Sequence, residues 1–254
     1  MIFSEPLFLF LFLPVTLFAF YLMAKYRGTD SALLVLVVSS CIFYGRWGNF
    51  FLVLFLCSIF VNYLVALHLL TASNNARNRK LVLWFGQTYN LGMLFWFKYH
   101  FYFDYYLSQG KEGSIGFSMV DAAIPIGISF YTFQQAVFLA DAYSRAPEVN
   151  SYFGTLKSFT DRLRGLMRYT AFVCFFPHLV IGPIMTMKEF QSQVHGTRFG
   201  RFRHSNIEVG AMLILIGLLK KLVIADHLAI PVGAVFSAAE AGTQDLTVQA
   251  AWVG

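Results

Sequence analysis

Charge is what this 254-residue sequence has least of: Asp, Glu, Lys and Arg together make up 13% of it. A water-soluble domain of this size carries roughly twice that fraction to cover its surface. Catalytic signatures are missing as well. There is no Ser-His-Asp or Cys-His pattern, no glycine-rich phosphate loop and no metal-ligand spacing. The three cysteines, Cys41, Cys57 and Cys174, lie far apart in apolar runs without a CxxC pair, so buried thiols are expected and no redox compartment follows. A cleavable leader fits poorly too, because Glu5 is the only early charge and no basic stretch precedes the first apolar run.

What is present is hydrophobic sequence. Hydrophobic residues make up 57% of the chain and mean hydropathy is +0.61. Several runs are long enough to cross a hydrocarbon core of about 30 Å. The fold class they predict is all-α, a polytopic integral membrane protein. The 29 Phe, 13 Tyr and 4 Trp suit lipid-facing and interfacial positions. The net charge of +6 gathers between apolar runs, where the positive-inside rule and anionic lipid explain it. The bilayer is therefore the expected partner, and nucleic acid is not.

In chain order, residues 2–23 form a first span that Pro14 can kink, and residues 32–44 a second, ending at Gly45-Arg46-Trp47-Gly48. Residues 50–70 form a third, in which Asn62 and His68 read as contacts between helices. Residues 74–80 read as a compact basic loop, and residues 81–97 as a fourth span leading into an aromatic cluster, 98–106. Residues 108–114 read as a surface loop. Part of 151–168 reads as an amphipathic helix on the membrane surface, and 186–206 as a loop. Residues 207–224 are the last clear span, with Lys220 and Lys221 snorkelling. Asp226 lies five and six residues on, outside the usual same-face spacing.

Two stretches stand out. In residues 123–145, Tyr131, Gln134, Phe138 and Asp141 follow at helical spacing and mark one face, behind an irregular start at Pro125 and Gly127. In residues 169–185, Pro177, Gly182 and Pro183 interrupt any continuous helix. A full crossing there would put Lys188, Arg198, Arg201 and Arg203 on the wrong side of the charge rule, so a broken or re-entrant helix is expected. His178 inside it is open to three readings: proton acceptor, structural hydrogen-bonding group or ligand. For both stretches packing between helices is the simpler account, and a substrate path the alternative.

Two runs bear on that choice. IPIGISFYTFQ at 124–134 and FFPHLVIGPI at 175–184 resemble signature runs of the membrane-bound O-acyltransferase superfamily. The resemblance is to its bacterial branch of alginate O-acetylation and teichoic-acid D-alanylation. Residues 90–99, the LKKLVIAD run at 219–226 and the opening MIFS are similar to further stretches of that branch, in the same order. The resemblance implies a multi-helix enzyme of the bacterial inner (plasma) membrane, with its N-terminus periplasmic or extracellular. Such an enzyme moves an acyl group from acetyl-CoA or an acyl-carrier thioester, with no bound cofactor and no metal, onto a polysaccharide hydroxyl. It works with accessory envelope acylation proteins. Acetyl is the expected group and D-alanyl the second.

The same resemblance implies that Tyr131 and Gln134 line a tunnel and that Pro177, His178, Gly182 and Pro183 shape a turn beside it. The family's histidine base falls downstream of the LKKLVIAD run, beyond Gly254, so no catalytic residue is assigned here. A single domain over 1–254, cut short at its C-terminal end, is the expected organisation. A transporter or flippase-like protein and a non-catalytic scaffold are the competing classes.

Overall fold

The computed structural model describes residues 3–71, 76–108, 124–153, 156–179, 182, 185–196 and 199–241. The described residues are helical and contain no strand. They divide into two compact units, Met1–Arg201 and Phe202–Gly254.

The first unit opens with a π turn, Phe8–Phe12, that leads directly into α1, Leu13–Arg27. Pro14 has no N–H to give to the preceding turn, and the wider turn ahead of it, closed by Leu13 N–H on the Phe8 carbonyl, absorbs the misfit. Gly28 (φ +85°) separates α1 from α2, Thr29–Gly45, and the two helices pack along each other. The turn expected at 45–48 is present, held by Trp47 N–H on the Tyr44 carbonyl and Gly48 N–H on that of Gly45. Then come α3, Asn49–Thr71, and α4, Ala76–Ser108. Arg77, Arg79 and Lys80 were expected in a loop but lie in the first turns of α4. Arg79 caps the end of the next helix instead, donating to the Tyr143 carbonyl with its guanidinium 5.1 Å from the Tyr143 ring.

Helix α5, Ile128–Ser144, starts after an irregular stretch in which Gly127 takes the left-handed conformation (φ +73°). It packs on α3, α4 and α7. The short α6, Pro147–Phe153, is followed by α7, Phe159–Cys174, which begins with a Ser158–Asp161 capping box. The expected surface helix and the first part of the following apolar segment, 169–174, are thus one element. Its first turns are exposed, while Tyr169, Phe172 and Cys174 at its far end are buried. The break falls at Phe175, which leaves helical geometry (ψ 103°) before the four-residue α8, Phe176–Leu179. Pro177 causes it: a continuous helix would press its ring on the Val173 carbonyl and leave that carbonyl without a donor. Residues 186–206, expected to be a loop, contain α9, Met187–Val194, capped by Thr186 and Glu189.

The second unit contains α10, His204–Leu219, a π turn at Lys220–Ala225, and α11, Asp226–Ala241. Asp226 therefore continues the helix that was expected to close at 224.

Among the described residues two helical stretches, Phe8–Arg27 and Asn49–Thr71, are long and apolar enough to cross a membrane, and the apolar Thr29–Gly45 is shorter. Their outer faces are oily: Phe10 is 81% exposed, Phe18 71% and Phe50 69%. Side chains of this size left facing outward in rows are what lipid, and not water, tolerates. Cys57 is among the outward residues and Cys41 is half-buried, so of three thiols expected to be buried only Cys174 is.

Candidate functional site

The centre of the first unit is more polar than its composition suggests. Ser58 and Asn62 on α3, Asn90 on α4, Gln134 and Gln135 on α5, and Tyr169 on α7 are all buried. Asn62 and Asn90 donate to each other, at 2.9 and 2.7 Å, and Asn62 also donates to the Ser58 carbonyl at 3.0 Å. Gln135 donates to the Ser58 hydroxyl at 3.1 Å and accepts from the Tyr169 hydroxyl at 3.4 Å. These contacts fasten α3, α4, α5 and α7 together. A buried amide costs little when both its ends are satisfied, and much when one is lost.

The two unusual stretches meet one residue away from this cluster. The Gln134 amide nitrogen donates to the Phe172 carbonyl at 3.2 Å and lies 3.4 Å from Nε2 of His178. The Phe172 carbonyl is available because the helix stops three residues later, at Phe175, and nothing continues its ladder. Which partner donates across the Gln134–His178 contact follows from the imidazole tautomer, and the Phe172 carbonyl can accept from either side chain. Nδ1 is buried and has no hydrogen-bond partner among the described residues. The ring rests 5.3 Å from that of Phe175. Gly182 closes over it so tightly that a Cβ there would overlap the Cβ, Cα and carbonyl oxygen of His178. Only glycine allows that approach.

Tyr131 lies one turn before Gln134 on the same buried face, its ring 4.7 Å from that of Phe55. Its hydroxyl and that of Thr132 are buried without a partner among the described residues. Just upstream, the Tyr44 hydroxyl donates to the Ile126 carbonyl at 2.9 Å and pins the irregular start of α5. Ser40 holds the other stretch in the same way, accepting from the Phe176 backbone N–H at 3.1 Å.

Of the residues singled out in the sequence, the structure brings together Gln134, His178 and Gly182, with Tyr131 beside them. Pro177 is exposed: it sets the break in the backbone and does not face this centre. Pro183 lies outside the described residues, as does the expected loop at 108–114 beyond Ser108. Phe138 is core, its ring 4.7 Å from that of Tyr169 and tilted to it, and Asp141 is half-buried at the end of α5. Gln135, Ser58, Asn90 and Tyr169 were not foreseen. The doubled glutamine was the available signal, since Gln135 stands four residues after Tyr131 and so shares its face.

Comparison with known proteins bears directly on these stretches. Over 90% of its length the chain is 32% identical to a peptidoglycan O-acetyltransferase of Helicobacter pylori. Over its whole length it is 32% identical to the probable alginate O-acetylases AlgI of Pseudomonas syringae and Pseudomonas aeruginosa. These homologues are O-acetyltransferases of the membrane-bound O-acyltransferase type. The chain spans about half the length of these acyltransferases, 44–45% of each. No family model matches it, and no solved structure matches it. The acyltransferase resemblance of the 124–134 and 175–184 runs thus extends from end to end of the chain, and the structure joins those two runs at Gln134 and His178.

Proposed function

We propose that the protein takes part in O-acetylation of an envelope or exported polysaccharide, as a multi-pass protein of the bacterial inner membrane. The observation that carries this reading is the 32% identity, over the whole chain, to proteins named as alginate O-acetylases. In the reaction a polysaccharide hydroxyl attacks the carbonyl carbon of an acetyl thioester. The C–O ester bond forms, the C–S bond breaks, the hydroxyl proton passes to a base, and the thiol leaves. The donor is acetyl-CoA or an acyl-carrier thioester, and accessory envelope proteins assist.

In this reading Tyr131 and Gln134 form a wall of the passage in which donor and acceptor meet. The broken segment at His178 and Gly182 closes that wall. His178 is a wall residue in this reading, with its Nε2 engaged beside the Gln134 amide. The experiment supplies acetyl-labelled acetyl-CoA and acceptor glycan to membranes expressing the protein from its own gene. Base-labile label on the glycan is the expected result. Glycan that crosses the membrane without acquiring label would replace transfer by transport.

The basic first turns of α4 are placed on the cytoplasmic side, with the N-terminus opposite. Arg77→Cys, in a background with Cys41, Cys57 and Cys174 replaced by alanine, tests this, because Arg77 is exposed and Arg79 is tied to Tyr143. Labelling by an impermeant maleimide from outside intact cells would reverse the topology.

A further inference from the structure

A cleft of about 470 Å³ opens in the first unit where the end of α3 meets α6 and the approach to α7. Its walls are of two kinds. Leu70, Phe153 and Leu156 form an apolar side, while Lys157, Arg162 and Asn150 supply positive charge and hydrogen-bonding groups. No carboxylate lines it among the described residues. That is unusual for this helix, whose other cations are neutralised. Arg164 and Arg168 both contact Asp30, at 3.2 and 2.9 Å, and Arg168 is further held by the Tyr152 carbonyl at 2.8 Å. The nearest acid in sequence, Asp161, accepts from the Ser158 backbone N–H in the capping box. Arg162 is fixed at the cleft by its Nε–H on the Leu156 carbonyl, at 3.2 Å, which leaves its terminal nitrogens without a carboxylate.

A second observation says what kind of anion fits. Phe159 and Leu163, four residues apart on one face of α7, are 79% and 56% exposed, and Arg162 lies between them in sequence. Aromatic and aliphatic side chains beside Lys and Arg at the start of an amphipathic helix are the composition of a membrane-surface segment. A soluble phosphate compound would have no use for the exposed Phe159 and Leu163, or for the apolar side of the cleft. A phospholipid uses all three parts.

We propose that this cleft is a binding site for the headgroup of an anionic phospholipid. The phosphate lies between Lys157 and Arg162, Asn150 hydrogen-bonds the polar headgroup, and the start of the acyl chains lies against Leu70 and Phe153. The lipid braces α3, α6 and α7 against one another from outside the polar cluster. Nothing in this assignment depends on acyl transfer, so it stands or falls separately from the proposed function.

The test is native mass spectrometry of the chain purified in detergent and titrated with dioleoylphosphatidylglycerol, with dioleoylphosphatidylcholine as the zwitterionic control. The expected result is a discrete phosphatidylglycerol adduct, weakened about fivefold by Lys157→Gln and recovered in Lys157→Arg, since one basic residue near lipid contributes about 1 kcal/mol. Lys188→Gln, which removes an exposed charge on α9, leaves the adduct unchanged. Lys157 is itself exposed, so its substitution does not threaten folding; Lys157→Gln/Arg162→Gln then weakens the adduct further. Equal binding of the two lipids, or an adduct indifferent to Lys157, would overturn the site. Displacement of the lipid by equimolar inorganic phosphate or adenosine 3′,5′-bisphosphate would overturn the lipid assignment and reassign the cleft to a soluble phosphate ligand.

Discussion

Lys221 donates to both carboxylate oxygens of Asp226, at 2.8 and 2.9 Å, although five residues separate them. In an α-helix a five-residue step leaves two side chains about 140° apart around the axis. The π turn at Lys220–Ala225 closes that angle, because its hydrogen bonds run to the fifth residue, as in Asp226 N–H on the Lys221 carbonyl. The His227 ring, 3.2 Å from the Leu222 carbonyl, follows the same five-residue step. Both partners of the ion pair are about half-exposed, so a double-mutant cycle with Lys221→Met and Asp226→Asn is expected to show only about 0.2–1 kcal/mol of coupling in detergent. Zero coupling would mean that the wide turn is held by its backbone alone.

The Asn62–Asn90 pair should behave in the opposite way, because both side chains are fully buried. Asn62→Leu leaves the Asn90 amide without its partner and is expected to cost about 1–3 kcal/mol. Replacing both residues by leucine should recover part of that loss, since the two amides satisfy each other and only the Asn62 contact to the Ser58 carbonyl is lost besides. Thermal unfolding in mixed micelles reads the difference. A double variant as unstable as the sum of the singles would show that the two amides do not depend on each other.

Gly86 on α4 faces Val65 and Leu139 so closely that a Cβ would stand 2.6 Å from Leu139 Cδ1 and 3.0 Å from Val65 Cγ1. Small residues at such crossings let helices approach, and Gly86→Ala is expected to cost about 1–3 kcal/mol through overpacking. Leu139→Ala alone opens a cavity at a fully buried site. Together the two changes should cost less than their sum, because the added methyl enters the space that was vacated. Strict additivity of the melting shifts would exclude the contact.

Much of this architecture was legible in the sequence, and the exceptions share a cause. Apolar runs are long signals, so α2 and α3 fall within three residues of their expected bounds, while α1 ends four residues past the first span expected at 2–23. Pro177 announced its own effect, and the backbone breaks two residues before it. The polar elements between runs were harder. The capping box of α9 was present as Thr186 and Glu189 but was hidden in a stretch read by its charge alone. The same habit placed Arg77 to Lys80 in a loop instead of a helix start. For the candidate site, spacing along α5 found Tyr131 and Gln134, but which residues answer them depends on neighbouring helices. Nothing local to Asn90 or Ser58 marks either as a partner in that cluster.

Glu189 gives a pH prediction with a definite sign. Its carboxylate accepts from the Thr186 backbone N–H at 2.9 Å and from the Thr186 hydroxyl at 3.0 Å, which holds its pKa below the ordinary carboxylate value. A lowered pKa in the folded state means the cap contributes fully above the unfolded value, near 4.5, and is lost as pH falls through the lowered one. Hydrogen exchange in the first turn of α9 should therefore accelerate in acid beyond its intrinsic rate. Glu189→Gln should flatten that dependence. An unchanged acid response in the variant would assign it to other groups.

The contact between Gln134 and His178 separates packing from a passage wall, because the two roles predict different readouts. Gln134→Leu removes the amide from the Phe172 carbonyl and from His178 Nε2, a loss of about 1–3 kcal/mol in stability on either account. Gly182→Ala reaches the same contact from the other side, since its methyl would push His178 away from Gln134. His178→Gln keeps a side chain able to accept from the Gln134 amide. If these residues only pack, acetyl transfer per folded molecule stays constant across all three variants. If they wall the passage, Gln134→Leu and Gly182→Ala lose about tenfold in transfer, equivalent to about 1.4 kcal/mol at the barrier, and His178→Gln retains most of it. Normalising labelled glycan to monodisperse protein makes that comparison, and a uniform rate would leave Gln134 and His178 as glue between α5 and the broken segment.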